Sequence, residues 1–522
     1  MKQQAVVVVG AGIGGLCAAV DLARRGLEVT VVERAPAPGG KMRQVSVDGV
    51  GVDAGPTVFT MRWIFESLFA DAGSRLDAHV QLGPLDTLAR HGWDDGSRLD
   101  LFADMERSAE AIAEFAGPRE ARGYRAFCAR SARVYEDLVA TFIAAERPSL
   151  IDLVRRVGVH RLRALFGIAP WPSMWAALGG YFRDPRLRQL FARYATYVGS
   201  SPVQTPATLM LVAHVEQEGV WTVRGGMHAL AQALVTLGQG LGVRYRFATE
   251  ACAIEAERGR CSGVALAGGE RLPADAVVFN GDSSALADGR LGPAARAAVP
   301  GIARANRSLS ALTWCLRARC TGFPLHHHTV FFSRRVPYPD EFRAIFSERR
   351  VGPEPTVYVC AQDRRPAESD VGDAAATGDP EHLLMLINAP PDGDRRALEV
   401  EELDTLAERT FSLLARCGLH VEPEGPAPVV SGPGTFNTLF PSTGGALYGR
   451  ANHGMLASFA RPGAPTRLPG LYLAGGSAHP GAGVPMAAMS GRLAAERLYQ
   501  DLAQGPNAAR TVFMSVPETS QM

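Results

Sequence analysis

An α/β fold carrying an inserted α+β unit is predicted by three observations. The chain opens with a continuous apolar strand, Ala5 to Val9, that runs straight into Gly10-Ala11-Gly12-Ile13-Gly14-Gly15. It closes with the same grammar: Leu471 to Ala474, then Gly475-Gly476, then a helix from Pro485. Between them the pattern is first helical and then strand-rich, as an insertion with its own core would be. Together these describe a Rossmann-like nucleotide-binding domain interrupted by a substrate domain of helices and a mixed sheet.

A chain of 522 residues, 47% hydrophobic, suffices for two or three domains. A formal charge of +1 gives no general attraction to polyanions, and no Lys/Arg run alternates with aromatics, so nucleic acid is not an expected partner. The eight cysteines are scattered, without a C-x-x-C pair or metal-ligand spacing. They read as buried thiols in a reducing compartment, and no metal site is expected. His326-His327-His328 falls in strand-like sequence, where successive side chains point to opposite faces and three rings do not readily converge. Strand-like sequence from Ala5 leaves no room for a secretion signal, and no apolar run reaches the ~18–20 residues that span a bilayer. The expected location is the cytoplasm.

Taking the elements in order, Ala5 to Val9 has the uninterrupted β-branched apolarity of a central parallel strand. Gly10 permits the tight turn, Gly12 the approach of a pyrophosphate, and Gly15 the close packing of a helix from Leu16 to about Arg25; Gly14 completes the cluster. A second strand, Glu28 to Val32, ends at Glu33, about eighteen residues past Gly15, where an acid meets the ribose hydroxyls. Glu33-Arg34 and Gly39-Gly40-Lys41-Met42-Arg43 spell E-R-x4-G-G-K-x-R. This resembles the paired-glycine FAD motif of the amine-oxidase and phytoene-desaturase superfamily, within the glutathione-reductase plan. Lys41 and Arg43 either neutralise pyrophosphate or flank the flavin, or are ordinary solvated charges. The turn Asp53-Ala54-Gly55-Pro56-Thr57-Val58 can bring backbone at Gly55, Thr57 and Val58 against the ring.

After about Gly83 helices are expected at Asp104 to Ala116, Glu120 to Ala144 and Ser149 to Phe166, without intervening strands. Between Glu146 and Arg193 nine arginines face three acids, interleaved with apolar residues that include Trp171 and Trp175. Basic amphipathic helices of this kind lie on anionic lipid, or present a solvated face over a core. Gly225-Gly226 opens a helix, strands follow at Val243 to Phe247 and Ala251 to Ile254, and Ala276 to Phe279 leads into Asn280-Gly281-Asp282. That order resembles the superfamily's return into its FAD domain. There the strand holding Cys252 would contact the adenine and Asn280 would join the cofactor site. Gly238-Gln239-Gly240 follows a helix and not a strand, so it is not a second nucleotide turn, and electrons must leave the flavin without NADPH. Strands at Leu309 to Arg317, Thr329 to Ser333, Thr356 to Cys360 and Leu383 to Asn388 form the substrate-domain sheet. The expected organisation is a discontinuous FAD-binding domain (1–85, 220–300 and 425–502), a substrate and membrane-associated domain (86–219 and 301–424), and a flexible tail (503–522).

At the far end, the helix from Pro485 to about Gln500 points its positive amino terminus to where the glycine clusters would meet. Gly475, Gly476, Gly483, Val484 and Met486 thereby complete the candidate cofactor set and favour negative charge on a reduced flavin. His479 reads as an imidazole bonded to backbone beside a proline in preference to an acid or base, and no catalytic residue is assigned.

Gly476-Ser477-Ala478-His479-Pro480-Gly481-Ala482-Gly483-Val484-Pro485 resembles the G-x-x-H-P-G-A-G-I/V-P signature of bacterial-type phytoene desaturases. His327-His328-Thr329-Val330-Phe331-Phe332-Ser333 and Tyr197 to Pro206 are similar to further segments of that family, and the likeness runs from Val6 to about Leu498. Two stretches, Gly55 to Arg62 and Phe440 to Arg450, resemble its 1-hydroxycarotenoid 3,4-desaturase (methoxyneurosporene dehydrogenase) branch. The resemblance implies an FAD-dependent carotenoid desaturase. Hydride leaves an allylic carbon for the flavin, a proton follows, and a C3–C4 double bond forms in a 1-hydroxy or 1-methoxy acyclic carotenoid. It implies also a protein peripheral to the inner membrane, with a quinone or oxygen as electron acceptor. A phytoene or other carotenoid desaturase, a carotenoid isomerase or an amine oxidase of the same fold, and a prenyl-binding carrier without redox chemistry, stay open as other readings. Glu33 and Gly39-Gly40-Lys41 speak against the carrier.

Overall fold

The computed structural model describes residues 3–147, 172–300, 306–364, 379–454 and 457–504. A five-stranded parallel sheet runs in the order Leu471–Leu473, Ala276–Phe279, Ala5–Val9, Glu28–Val32, Arg244–Arg246. Its central strands are continuous Val runs because both faces are covered. Val6, Val8, Val29 and Val31 pack on the helices Ile13–Ala23 and Met227–Gly240. Val7, Val32, Val277 and Phe279 pack under a three-stranded sheet, Ala251–Glu257, Arg260–Leu266 and Arg271–Pro273.

The first helix, Ile13–Ala23, lies against the last, Val484–Gln504, at glycine contacts: a methyl on Gly491 would come within 2.0 Å of the Gly14 carbonyl oxygen. Asp21, its side chain 2% exposed, accepts from Arg24 at 2.6 Å and from Arg492 at 3.0 Å, the latter 471 residues away in the chain.

A second, seven-stranded sheet runs Leu419–Ser431, Ser310–Gly322, Glu381–Ala389, Val357–Ala361, His328–Phe332, Thr87–Trp93, Arg98–Phe102. Only His328–Phe332 with Thr87–Trp93 is a parallel pair. Helix Val400–Arg416 covers one region through Leu406, Leu413 and Leu414. Helices Met105–Ala116, Pro118–Leu138, Met174–Tyr181 and Pro185–Ala192 close another region around Trp93, Leu101, Val330 and Phe332.

Three expectations change. Thr87–Trp93 and Arg98–Phe102 are strands inside a stretch that reads as helical. All seven residues of the first are buried, and its Arg90 hides the apolar signature because cross-strand Asp100 accepts from it at 2.8 and 2.7 Å. Leu419–Ser431 pairs with Ser310–Gly322, so a division at 425 cuts a strand of the second sheet; it belongs after Ser431. The helix drawn from Glu120 to Ala144 is Pro118–Leu138 followed by a π turn, Val139–Ile143. Of the arginine-rich stretch, Arg155, Arg156, Arg161 and Arg163 lie outside the described residues, as do the helix drawn at Ser149 to Phe166 and the tail from residue 505. The described arginines at its end serve the fold. Arg186 donates to Asp184 at 2.7 Å over the Phe115 ring, and Arg188 donates to Trp175 O at 2.7 Å over that residue's ring.

Buried imidazoles couple this fold to pH. Burial pushes His91 down to about 3, and His326 and His479 down to about 4, from 6.5. Above pH 6.5 both folded and unfolded chains keep these rings neutral; below it the unfolded chain takes protons that the folded one refuses, so stability falls as pH drops toward 4. Each ring contributes a loss on the order of 3 kcal/mol. Asp53 and Glu341, pushed up by burial, act in the opposite sense. A melting temperature measured between about pH 7 and pH 4 should fall steadily; a flat profile would contradict the buried, neutral rings.

Candidate active site

The strand Ala5–Val9 ends in Gly10 at φ +102°, and Gly12 stands at the N-cap of the first helix, where it offers no capping side chain. That leaves an open, positively polarised helix end floored by backbone. A Cβ on Gly14 would sit 2.7 Å from Asn280 Oδ1, 2.8 Å from Ala487 O and 2.9 Å from Gly475 Cα; one on Gly15 would sit 2.1 Å from Gly10 O. The two glycine clusters therefore meet, with Asn280 wedged between them. Its Nδ2 donates to Gly10 O at 3.1 Å, and a Cβ on Gly475 would lie 2.6 Å from its Oδ1. Gly40 leans on Gly12, where a Cβ would stand 3.1 Å from Gly12 Cα. Glu33 accepts the Ala11 N–H at 2.7 Å on one oxygen and the Ala35 N–H at 2.8 Å on the other. Cys252 stands apart, exposed at a register shift between Ala251–Glu257 and Arg260–Leu266.

The cations at 34–43 are committed to the segment 431–447. Arg34 donates to Thr438 O at 2.7 Å and to Leu439 O; Lys41 donates to Leu447 O, with its ammonium over the Phe440 ring. Arg43 donates to Ser431 Oγ at 2.9 Å beside Phe436. Burial lowers the pKa of both Lys41 and Arg43. In this arrangement the heads of Lys41 and Arg43 tie a neighbouring loop and are not free phosphate ligands.

Beside the glycine floor is a cavity of about 500 Å³. One wall is Gly55, Thr57, Val58 and Met61, another is Gly483, Val484 and Met486, and Leu138, Phe142, Leu209, Val212 and Leu386 make much of the rest. His479 leads into the second wall through a cis peptide bond to Pro480. Its Nε2 donates to Ala145 O at 2.9 Å, against the Phe142 ring. With its pKa pushed down to about 4 by burial, it holds no extra proton at neutral pH.

Several residues here escape sequence reasoning. Arg461, 1% exposed, donates to Gly476 O and Arg450 O at 2.8 Å and to Tyr448 O at 3.2 Å, and burial pushes it down to about 10. Nothing around it in the sequence signals this role. Arg461→Met would strand three carbonyls at about 1–3 kcal/mol each. We expect a lower melting temperature together with earlier flavin release, read by flavin fluorescence during heating. Asp53 accepts from the Met227 N–H and so caps Met227–Gly240, joining the Gly55 turn to that helix.

At the Val58 side the cavity turns polar. Glu216 accepts from Tyr194 at 2.6 Å and from Tyr197, whose oxygen also accepts from Arg193 at 3.2 Å. Tyr358 shares 2.7 Å bonds with Thr57 Oγ1 and with His328 Nδ1. Of the histidine run, His327 and His328 come together with Cys360, their ligand atoms within 4.8 Å of one another, while His326 is not in the group. His327 precedes the strand, and Cys360 sits opposite His328 on the neighbouring one. The Cys360 thiol, pushed up to about 12 by burial, keeps its proton at 3.7 Å from His327 Nε2. Cys360 and His327 form a hydrogen-bonded pair.

The cavity walls at residues 55–58 and 483–486 adjoin the floor through Lys41 and Ala487, as suits an oxidoreductase that sets the ring of a bound flavin against an apolar substrate. The chain belongs to the flavin containing amine oxidoreductase family, whose sequence profile matches residues 13–499, and its cofactor is FAD. The hydroxyneurosporene desaturase of Rubrivivax gelatinosus is 52% identical over 514 residues, which cover 98% of this chain and 96% of that protein. The hydroxyneurosporene desaturase of Cereibacter sphaeroides is 45% identical, covering 95% and 98%. In fold, the chain is similar to cyclohexylamine oxidase from Brevibacterium oxydans IH-35A, with a TM-score of 0.55 at 14% identity, covering 96% of this chain and 100% of that one.

Proposed function

We propose that the protein is an FAD-dependent desaturase that forms the C3–C4 double bond of 1-hydroxylated acyclic carotenoids. The observation that carries this reading is an apolar cavity whose two walls, Gly55 to Val58 and Gly483 to Met486, run on into residues packed against the glycine floor, Gly55 on Lys41 O and Ala487 on Gly14; the desaturases of similar sequence support it. Gly10, Gly12, Gly14, Gly15 and Gly40 would cradle the dinucleotide, Glu33 would take ribose hydroxyls, and Asn280, Gly475 and Gly476 would close the floor. Backbone at the Cys252 bulge would meet the adenine. Gly55, Thr57, Val58, Gly483, Val484 and Met486 would border the ring, while Arg34, Lys41 and Arg43 would steady the 431–447 segment beside it.

Bound FAD supplies the hydride acceptor. The amino end of helix Val484–Gln504 presents positive potential toward that position. Apolar walls keep water from the polyene cation left after hydride departure, and delocalisation of its charge lowers the demand on any base.

A substrate dissolved in lipid calls for a protein docked at the inner membrane from the cytoplasm, and no described helix is long and apolar enough to cross a membrane. Gly238 and Gly240 lie inside a helix and do not form a second dinucleotide turn, which supports a quinone or oxygen as the oxidant of the reduced flavin. The test is incubation of the FAD-loaded protein in liposomes with 1-hydroxyneurosporene or with phytoene. A red shift with the first and not the second is expected; a red shift with phytoene alone would overturn the reading.

A further inference from the structure

The polar groups beside Val58 enclose a small side chamber of about 10 Å³. It shares Val58, Arg193, Tyr197, Glu216 and Tyr358 with the main cavity and adds the ring of His328. That volume is close to the smallest that holds one water-sized oxygen. His328 is 4% exposed, its Nδ1 is taken by Tyr358, and its Nε2 has no partner among the described residues. A buried ring nitrogen without a partner is costly, so this wall is one bond short.

We propose that this chamber is the subsite for the terminal hydroxyl of the substrate, with His328 Nε2 as the group that recognises it and the Tyr358–Thr57 pair holding the ring in place. The inference rests on the desaturase reading above. In such a substrate the hydroxylated C1 is only a few bonds from the C3–C4 bond that reacts. A group that reads the hydroxyl must therefore stand at the flavin edge of the cavity and not at its far end. The chamber does: Tyr358 is bonded to Thr57, and Val58 lines both spaces.

The chemistry also selects. A hydroxyl donates as well as accepts, so it satisfies Nε2 in either tautomer of His328, whereas a methyl ether only accepts and brings a carbon for which the chamber has no room. The order of preference is hydroxyl first, then methyl ether and the polyene with hydrogen at C1.

The test compares kcat/KM of the FAD-loaded protein in liposomes for three carotenoids alike except at C1, bearing hydroxyl, methoxyl or hydrogen. The wild-type protein should prefer the hydroxyl by about a hundredfold over hydrogen, because a site built around a hydroxyl rejects the analogue without it. His328→Leu should cut that preference by at least about tenfold through the hydroxyl substrate alone, and His328→Gln, which keeps a polar end, should restore part of it. Ala89→Leu, which fills the chamber from a residue outside the main cavity, should cause the same selective loss, and serves if His328→Leu fails to fold. Retained flavin absorbance certifies each variant. Equal loss on all three substrates, or no wild-type preference for the hydroxyl, overturns the subsite while leaving desaturation standing. A wild-type protein that converts none of the three overturns both.

Discussion

Gly14→Val should yield a colourless protein. A Cβ there meets Asn280, Ala487 and Gly475 at 2.7 to 2.9 Å, and two of those contacts are backbone that belongs to the opposite glycine wall. Overpacking of this kind costs about 1–3 kcal/mol even where neighbours can shift; here it also pushes apart the walls that would hold the cofactor. FAD affinity is expected to fall by about a hundredfold, equivalent to about 2.7 kcal/mol, with a lower melting temperature. Gly180→Ala is the control, since its added Cβ meets nothing within 4 Å, and it should leave colour and stability intact. Wild-type flavin content in Gly14→Val would show that the two clusters do not close on one cofactor.

Leu386→Arg should leave the colour and remove the activity. Leu386 lies on Glu381–Ala389, across from Tyr358, and lines the cavity without contributing to the glycine floor. A guanidinium there stays charged at any working pH and must be desolvated when an apolar polyene enters, at a cost of several kcal/mol. Turnover of the carotenoid should drop by at least about a hundredfold while the visible flavin spectrum is kept. Unchanged turnover would mean that the polyene reacts elsewhere.

The elements that carry the nucleotide sheet were legible because their signals are local. Val runs feed glycine turns, and an acid follows at the right distance, so Ala5–Val9, Glu28–Val32 and Leu471–Leu473 could be placed without knowing their neighbours. The four strands expected between Leu309 and Asn388 are found for the same reason. What escaped depends on partners remote in sequence. Thr87–Trp93 looks too polar for a buried strand until Asp100 is seen against Arg90, and Arg461 is an unremarked loop arginine until three carbonyls close on it. Charge counting misjudged the described end of the arginine-rich stretch, since Arg186 and Arg188 lie on aromatic rings and donate within the protein. The polar edge at Glu216, Arg193 and His328 also has no local signature; each residue is an isolated charge or ring until the fold gathers them.

The parallel sheet takes its outermost strand from Leu471–Leu473, and the first helix finds its mate in Val484–Gln504. A ribosome delivers the chain from its amino end, so the first helix and the strand Ala276–Phe279 wait for these late partners while the rest of the sheet is already made. Flavin capture is thus postponed until Leu471–Leu473 and Val484–Gln504 have been made. A chain cut short before Leu471 would leave an incomplete fold for the chaperones, with no partly active enzyme to show for it.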